Sequence, residues 1–119
     1  KKQLQGGKLG EFYAREAVVY IEHNYDKDIT VEDIARRCKL DRSYFGKVFK
    51  KAVGQSPQEF LIRYRMSKAA DALIIGDDSV GDIGASVGYP NLLHFSRAFK
   101  GVYGVSPREY RQKNKIIDR

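Results

Sequence analysis

The chain repeats itself, and that repeat limits the folds open to it more than any other feature. Phe45, Phe49, Lys50, Gly54, Ser56, Pro57 and Glu59 recur as Phe95, Phe99, Lys100, Gly104, Ser106, Pro107 and Glu109 at a constant offset of 50, and Phe60 and Tyr110 continue the register. Upstream, Thr30, Val31, Asp33 and Ile34 pair with Ser79, Val80, Asp82 and Ile83 at an offset of 49. The one-residue slip falls in a turn between two helices, where a change of length is tolerated. Two such copies nearly fill 119 residues, enough for one domain or two very small ones and too little for a barrel or a doubly wound enzyme fold.

Each copy carries its own helix punctuation. Thr30-Val31-Glu32-Asp33 and Ser79-Val80-Gly81-Asp82 put a hydroxyl N-cap three residues before a carboxylate, and each opens a short helix, to about Cys38 and Val87. A turn follows through Lys39-Leu40-Asp41 or Gly88-Tyr89-Pro90-Asn91. Asp41 suits the N-cap of the next helix, and Pro90 or Asn91 serves in the second copy. Gly54 and Gly104 end these helices as left-handed C-terminal residues. Ser56-Pro57-Gln58-Glu59 and Ser106-Pro107-Arg108-Glu109 then form capping boxes with proline at the first helical position. Helix, short turn, helix, stated twice, is the helix-turn-helix grammar.

The rest of the chain frames these copies. Residues 1–10 are polar and glycine-rich and read as a flexible linker. Over 12–25, Ala17, Val18, Ile21 and Tyr25 make one amphipathic stripe. From Pro57 to about Ile75, Ile62, Met66, Ala69 and Leu73 mark one long helix, closed by Gly76-Asp77-Asp78. At 1.5 Å per residue it extends roughly 28 Å, close to the ~34 Å helical turn of B-DNA, and could hold two reading heads on one side of a duplex. No period-two strand pattern occurs. The expected fold is all-α, with two homeodomain-like helix-turn-helix subdomains at 11–54 and 77–119 joined by a linker helix at 55–76.

Lysine and arginine total 22 against 15 aspartate and glutamate, a net charge of +7 that favours a polyanionic partner. The hydrophobic content of 42% suits a folded domain, and no apolar run reaches the length a bilayer needs. His23, His94 and Cys38 are too scattered for a zinc site, so no metal or cofactor is expected. Cys38, the lone cysteine, lies in an apolar stretch and reads as core in a reducing, cytoplasmic setting. The chain begins at Lys1 without methionine, which suggests a piece of a longer protein.

At this point the chain resembles the DNA-binding domain of the AraC/XylS family of bacterial transcription regulators over about 12–111. The carrying motifs are Asp33-Ile34-Ala35, Ser43-Tyr44-Phe45-Gly46-Lys47-Val48-Phe49-Lys50-Lys51 and Gly54-Gln55-Ser56-Pro57. In the second copy they are Gly88-Tyr89, His94-Phe95-Ser96-Arg97-Ala98-Phe99-Lys100 and Gly104-Val105-Ser106-Pro107-Arg108-Glu109-Tyr110. The resemblance implies two recognition helices inserted into adjacent major grooves, recruitment of RNA polymerase by an activator, and base reading at Ser43, Gly46, Lys47, Leu93, Ser96 and Arg97. It leads us to expect a further N-terminal domain for dimerisation and for sensing an effector, a sugar among the candidates.

Helix geometry reaches the same faces without the family. Tyr44, Phe45, Val48 and Phe49 should be buried, leaving Arg42, Ser43, Gly46, Lys47 and Lys50 outward; Phe95, Ala98, Phe99 and Val102 should be buried, leaving Leu93, Ser96, Arg97 and Lys100 outward. Arg97 suits a bidentate contact to guanine, Lys47 a point-charge contact to the same acceptors, and Leu93 a thymine methyl. Phosphate contacts are expected from Lys50, Lys51, Arg63, Arg65, Lys100, Arg108 and Arg111, and from Thr30, Ser79 and Asn91 at helix N-termini. Arg65 could equally tie the linker helix to a subdomain. Gly46 leaves the first reading face without a side chain where the family usually has one. Gly81 and Gly84 weaken the first helix of the second unit by about 1 kcal/mol each, so that unit is expected to be less stable alone and partly ordered by DNA.

Other classes fit less well. A basic helical protein-interaction module explains the charge but not the repeated outward faces. Single-stranded RNA binding lacks exposed stacking platforms. Enzymatic activity has no nucleophile–base pair or phosphate loop to rest on.

Overall fold

The computed structural model describes residues 6–115. Among them are seven α-helices and no strand: α1 (Gly6–Asn24), α2 (Val31–Arg37), α3 (Arg42–Val53), α4 (Pro57–Ile75), α5 (Val80–Ser86), α6 (Leu92–Tyr103) and α7 (Pro107–Asn114). The chain divides into two compact units, one ending at Leu61 and the other beginning at Ile62, so the boundary runs through α4.

The punctuation works as the residue types require. Thr30 Oγ1 accepts from the Asp33 amide while the Asp33 carboxylate accepts from the Thr30 amide; Ser56 with Glu59 and Ser106 with Glu109 repeat this reciprocal pair. Ser79 accepts from the Asp82 amide. Asp41 caps α3, and Asn91, rather than Pro90, caps α6. Gly54 at φ 93° and Gly104 at φ 80° are left-handed and end α3 and α6.

In the first unit α1 packs on α2 and α3. Ala14, Ala17 and Ile21 of α1 are buried with Val31, Ile34, Ala35, Phe45, Phe49 and Leu61. The flexible linker expected at 1–10 is corrected over 6–10, which belong to α1; residues 1–5 lie outside the described residues. Local composition disfavours a helix there, but Gly10 is buried, with the place of its missing Cβ 3.5 Å from Val48 Cγ1, so tertiary packing outweighs propensity.

In the second unit α5 packs on α6 and α6 on α7, while α4 lays Arg65 against Tyr89. The buried Met66, Ala69 and Leu73 of α4 follow the spacing of Ala14, Ala17 and Ile21. The aromatic cores correspond ring by ring. Phe45–Phe49 and Phe95–Phe99 centroids lie 5.6 and 6.0 Å apart, and Phe49–Phe60 and Phe99–Tyr110 meet edge to face at 5.6 and 5.4 Å.

Gly84 is not the simple weakness its propensity suggests. A Cβ there would come within 2.8 Å of the Phe95 ring, so glycine is what lets α5 approach α6. Gly81 has open space around it and remains a propensity cost.

Candidate nucleic-acid interface

In each unit the second helix of the helix-turn-helix is held by two phenylalanines. Phe45 and Phe49 fix α3, Phe95 and Phe99 fix α6, and from the N-cap through the next nine residues the two helices bury and expose the same positions in the same order. The turn before each is closed by a left-handed residue, Lys39 at φ 60° and Gly88 at φ 93°. The following amide returns to the short helix, Leu40 N to Ala35 O at 3.0 Å and Tyr89 N to Gly84 O at 2.8 Å. These bonds set the angle at which each recognition helix leaves the turn.

The outward faces carry most of the expected side chains. Arg42, Ser43 and Lys47 are exposed on α3 and Gly46 is half-buried; Leu93 and Arg97 are exposed on α6 and Ser96 is half-buried. An open groove in the first unit runs along this face, bounded by Arg42, Ser43, Gly46, Lys47, Lys50 and Lys51 on α3 and by Ser56 and Pro57 at the start of α4. It presents four cations on one side. Arg42 pairs with Glu32 at 2.5 Å. The Glu32 carboxylate is held below its ordinary range by its own backbone amide and then by Arg42. Both groups are exposed, so the pair is weak and Arg42 can be released to another anion. Lys100, Arg108, Arg63 and Asn91 are exposed; Asn91 Oδ1 is taken by the His94 amide, leaving its amide nitrogen as the outward donor.

Three expectations are corrected and one open alternative narrows. Tyr44 is not part of the buried face: it is 47% exposed and borders a hollow with Gly7, Leu9, Gly10 and Glu11 of α1. Arg65, for which a phosphate contact and a structural tie were equally open, is only 9% exposed, with its guanidinium 5.7 Å from the Tyr89 ring centroid and in the space beside Gly88, as the structural alternative requires. Arg111 is likewise occupied, donating from Nε to Leu73 O at 2.9 Å and from Nη2 to Asp78 O at 2.7 Å. With Lys115, which bonds Gly76 O and pairs with Asp77 at 2.7 Å, it caps the carbonyl end of α4. The Thr30 amide, expected to meet phosphate, is spent on Asp33, whose charge stands where an anion would come.

Sequence reasoning missed one surface residue, Leu92. Its spacing from Phe95 and Phe99 places it on the buried stripe, yet at the first position of α6 it is 52% exposed beside Leu93 at 57%. The available signal was its position immediately after the N-cap, where a helix has no preceding turn to cover it. Cys38 is buried, its thiol directed at Tyr13 O, and burial pushes its pKa up, as suits a packing role. No helix among the described residues is long and apolar enough to cross a membrane.

Two helix-turn-helix units, each presenting a polar recognition helix with cations along its edge, define a bipartite DNA-binding domain of the regulator class. A family model described as "Helix-turn-helix domain" matches residues 34–113. The chain belongs to this family, in its AraC-type branch. It is 43% identical over 95 residues to the lactose operon transcription activator of Staphylococcus xylosus, covering 80% of this chain and 34% of that protein. It is 38% identical over 96 residues to the raffinose operon transcriptional regulatory protein RafR of Pediococcus pentosaceus, covering 81% and 35%. The chain thus spans about a third of the length of these curated relatives. Among solved structures, it is similar to the C-terminal domain of AraT, a response regulator from Geobacillus stearothermophilus, with TM-score 0.86, 33% identity and coverage of 89% and 88%. It is also similar to the DNA-binding domain of the global transcriptional factor AdpA in complex with a target DNA, with TM-score 0.78, 28% identity and coverage of 84% and 90%.

Proposed function

We propose that this chain binds double-stranded DNA sequence-specifically, with α3 and α6 each entering a major groove at adjacent positions on one duplex, and that the protein containing it activates transcription. The observation that carries this reading is the shared inside–outside order of α3 and α6, which aims Ser43, Gly46 and Lys47 in one unit and Leu93, Ser96 and Arg97 in the other away from the cores. Arg97 is the principal base reader, with guanine O6 and N7 as its partners, and Lys47 adds a point charge at the same kind of acceptor. Arg42 contributes once it leaves Glu32. Lys50, Lys51, Arg63, Lys100 and Arg108 hold phosphates, with the Ser79 hydroxyl and the Asn91 side-chain amide as further donors.

Around this domain the protein carries the segment that senses an effector and dimerises, and it contacts RNA polymerase from the cytoplasmic nucleoid. The relatives named for lactose and raffinose operons support a sugar as the effector class. Binding to a randomised duplex library at moderate and raised salt, with sequencing of the retained DNA, tests the core of the proposal. It should yield an asymmetric motif of two short blocks about one helical turn apart. Arg97→Ala should relax one base position at a cost of about 1–3 kcal/mol. Weak, sequence-blind binding erased by salt would replace this reading with a basic protein-interaction module.

A further inference from the structure

Leu92 and Leu93 stand side by side at the start of α6, 52% and 57% exposed. A single exposed leucine is ordinary, but an adjacent pair leaves an apolar tip on a helix whose neighbouring outward residues are Ser96 and Arg97. Leu92 and Ser96, and Leu93 and Arg97, are four residues apart and so share a face. The first unit has Arg42 and Ser43 at the matching positions, with Arg42 tied to Glu32. The two recognition helices therefore share a frame and differ in the chemistry of their tips.

We infer that Leu92 joins Leu93, already matched to a thymine methyl by its residue type, in one apolar surface that reads thymine through its C5-methyl group, giving the second unit a base preference that the first lacks. The inference rests on the DNA-binding reading above. Within the major groove, base edges present hydrogen-bonding groups and one apolar group, the thymine methyl. An apolar tip flanked by a hydroxyl and a guanidinium matches a step that combines thymine with guanine. Arg97 fixes the guanine and the leucines cover the neighbouring methyl. A leucine contacting cytosine or a purine edge would instead desolvate groups it cannot pair.

The test uses the duplex selected by the 119-residue chain. Each thymine is replaced in turn by deoxyuridine, which removes the methyl and leaves every hydrogen-bonding group in place. The block that responds to Arg97→Ala identifies the DNA under α6. In that block, one or two adjacent replacements should weaken binding about fourfold each, the loss expected for one buried carbon. Thymines in the other block should respond little. In Leu92→Ala/Leu93→Ala, which alters only exposed side chains and should retain the wild-type circular dichroism, the thymine and deoxyuridine duplexes should bind alike. Equal binding of both duplexes by the wild-type chain throughout the α6 block would overturn the inference, and would instead make the leucine pair a protein contact. So would a thymine preference that survives in the double variant. Failure to select any sequence at all would overturn the DNA-binding reading itself, and this inference with it.

Discussion

Replacing Gly84 by alanine adds one methyl group where α5 and α6 leave no room for it. The new Cβ would lie 2.8 Å from Cγ and Cδ2 of Phe95 and 3.1 Å from its Cβ. Ordinary carbon contacts begin near 3.5 Å, so the ring or the helix must retreat by about 0.7 Å. Phe95 is fully buried and anchors α6, so it has no free end to swing away. Overpacking of this kind costs about 1–3 kcal/mol, against which alanine recovers about 1 kcal/mol of helix propensity; a net loss of about 1 kcal/mol follows. Gly81, three residues earlier in the same helix, has nothing within 4 Å of its Cβ position. Gly81→Ala should therefore gain up to about 1 kcal/mol. The two substitutions are chemically identical and should move stability in opposite directions, separated by about 2 kcal/mol, or roughly thirtyfold in the opening equilibrium. Native-state hydrogen exchange of the α5 and α6 amides reads this directly in the second unit. If Gly84→Ala protected those amides as well as Gly81→Ala does, the close approach of α5 and α6 would be refuted as the reason for the glycine.

Lys39 occupies the left-handed turn position that Gly88 fills in the other unit, so Lys39→Gly should stabilise the first unit by about 1 kcal/mol in a urea titration. Arg65→Gln should destabilise the second unit by about 2 kcal/mol while leaving the salt dependence of DNA affinity unchanged; a fall of about one in that slope would mark a phosphate contact instead. Asp33, Asp77 and Glu109 are held below their ordinary 3.8, 3.8 and 4.5, chiefly by the Thr30 amide, Lys115 and the Ser106 amide respectively. Depressed carboxylate pKa values stabilise the fold above the unfolded values, so this contribution is complete above about pH 5 and is lost as pH falls through the folded values. Thermal melts across that range should show the decline, and Asp33→Asn should flatten part of it.

What could be read from the sequence was whatever a single residue type decides locally. Thr30, Asp41, Ser56, Ser106, Gly54 and Gly104 place helix ends because only a few side chains or backbone angles suit those positions. The repeated phenylalanines likewise marked the cores of both units. Where a residue's role depends on what covers it, sequence was mute. Arg65 has the composition of a phosphate ligand and the location of a core residue, and only the Tyr89 ring and Gly88 distinguish the two. Leu92 and Tyr44 have core periodicity but stand where neighbouring elements leave them uncovered. The likeness of α1 to α4 was hidden because Ala14, Ala17 and Ile21 share spacing but little identity with Met66, Ala69 and Leu73. On the outward faces, residue type gave the chemistry and the folded register gave the direction, so neither alone sufficed to name the candidate interface.

The common register of α3 and α6 makes their outer positions a cassette. Because Phe45 and Phe49 stand at the same helix positions as Phe95 and Phe99 and are buried alike, the exposed residues that flank them can be exchanged between the units without touching either pair of phenylalanines. If each unit reads its own block of the duplex, a chain with both tips alike should select two blocks of the same base preference. Two duplicated halves can in this way drift apart in what they recognise while remaining interchangeable in how they fold.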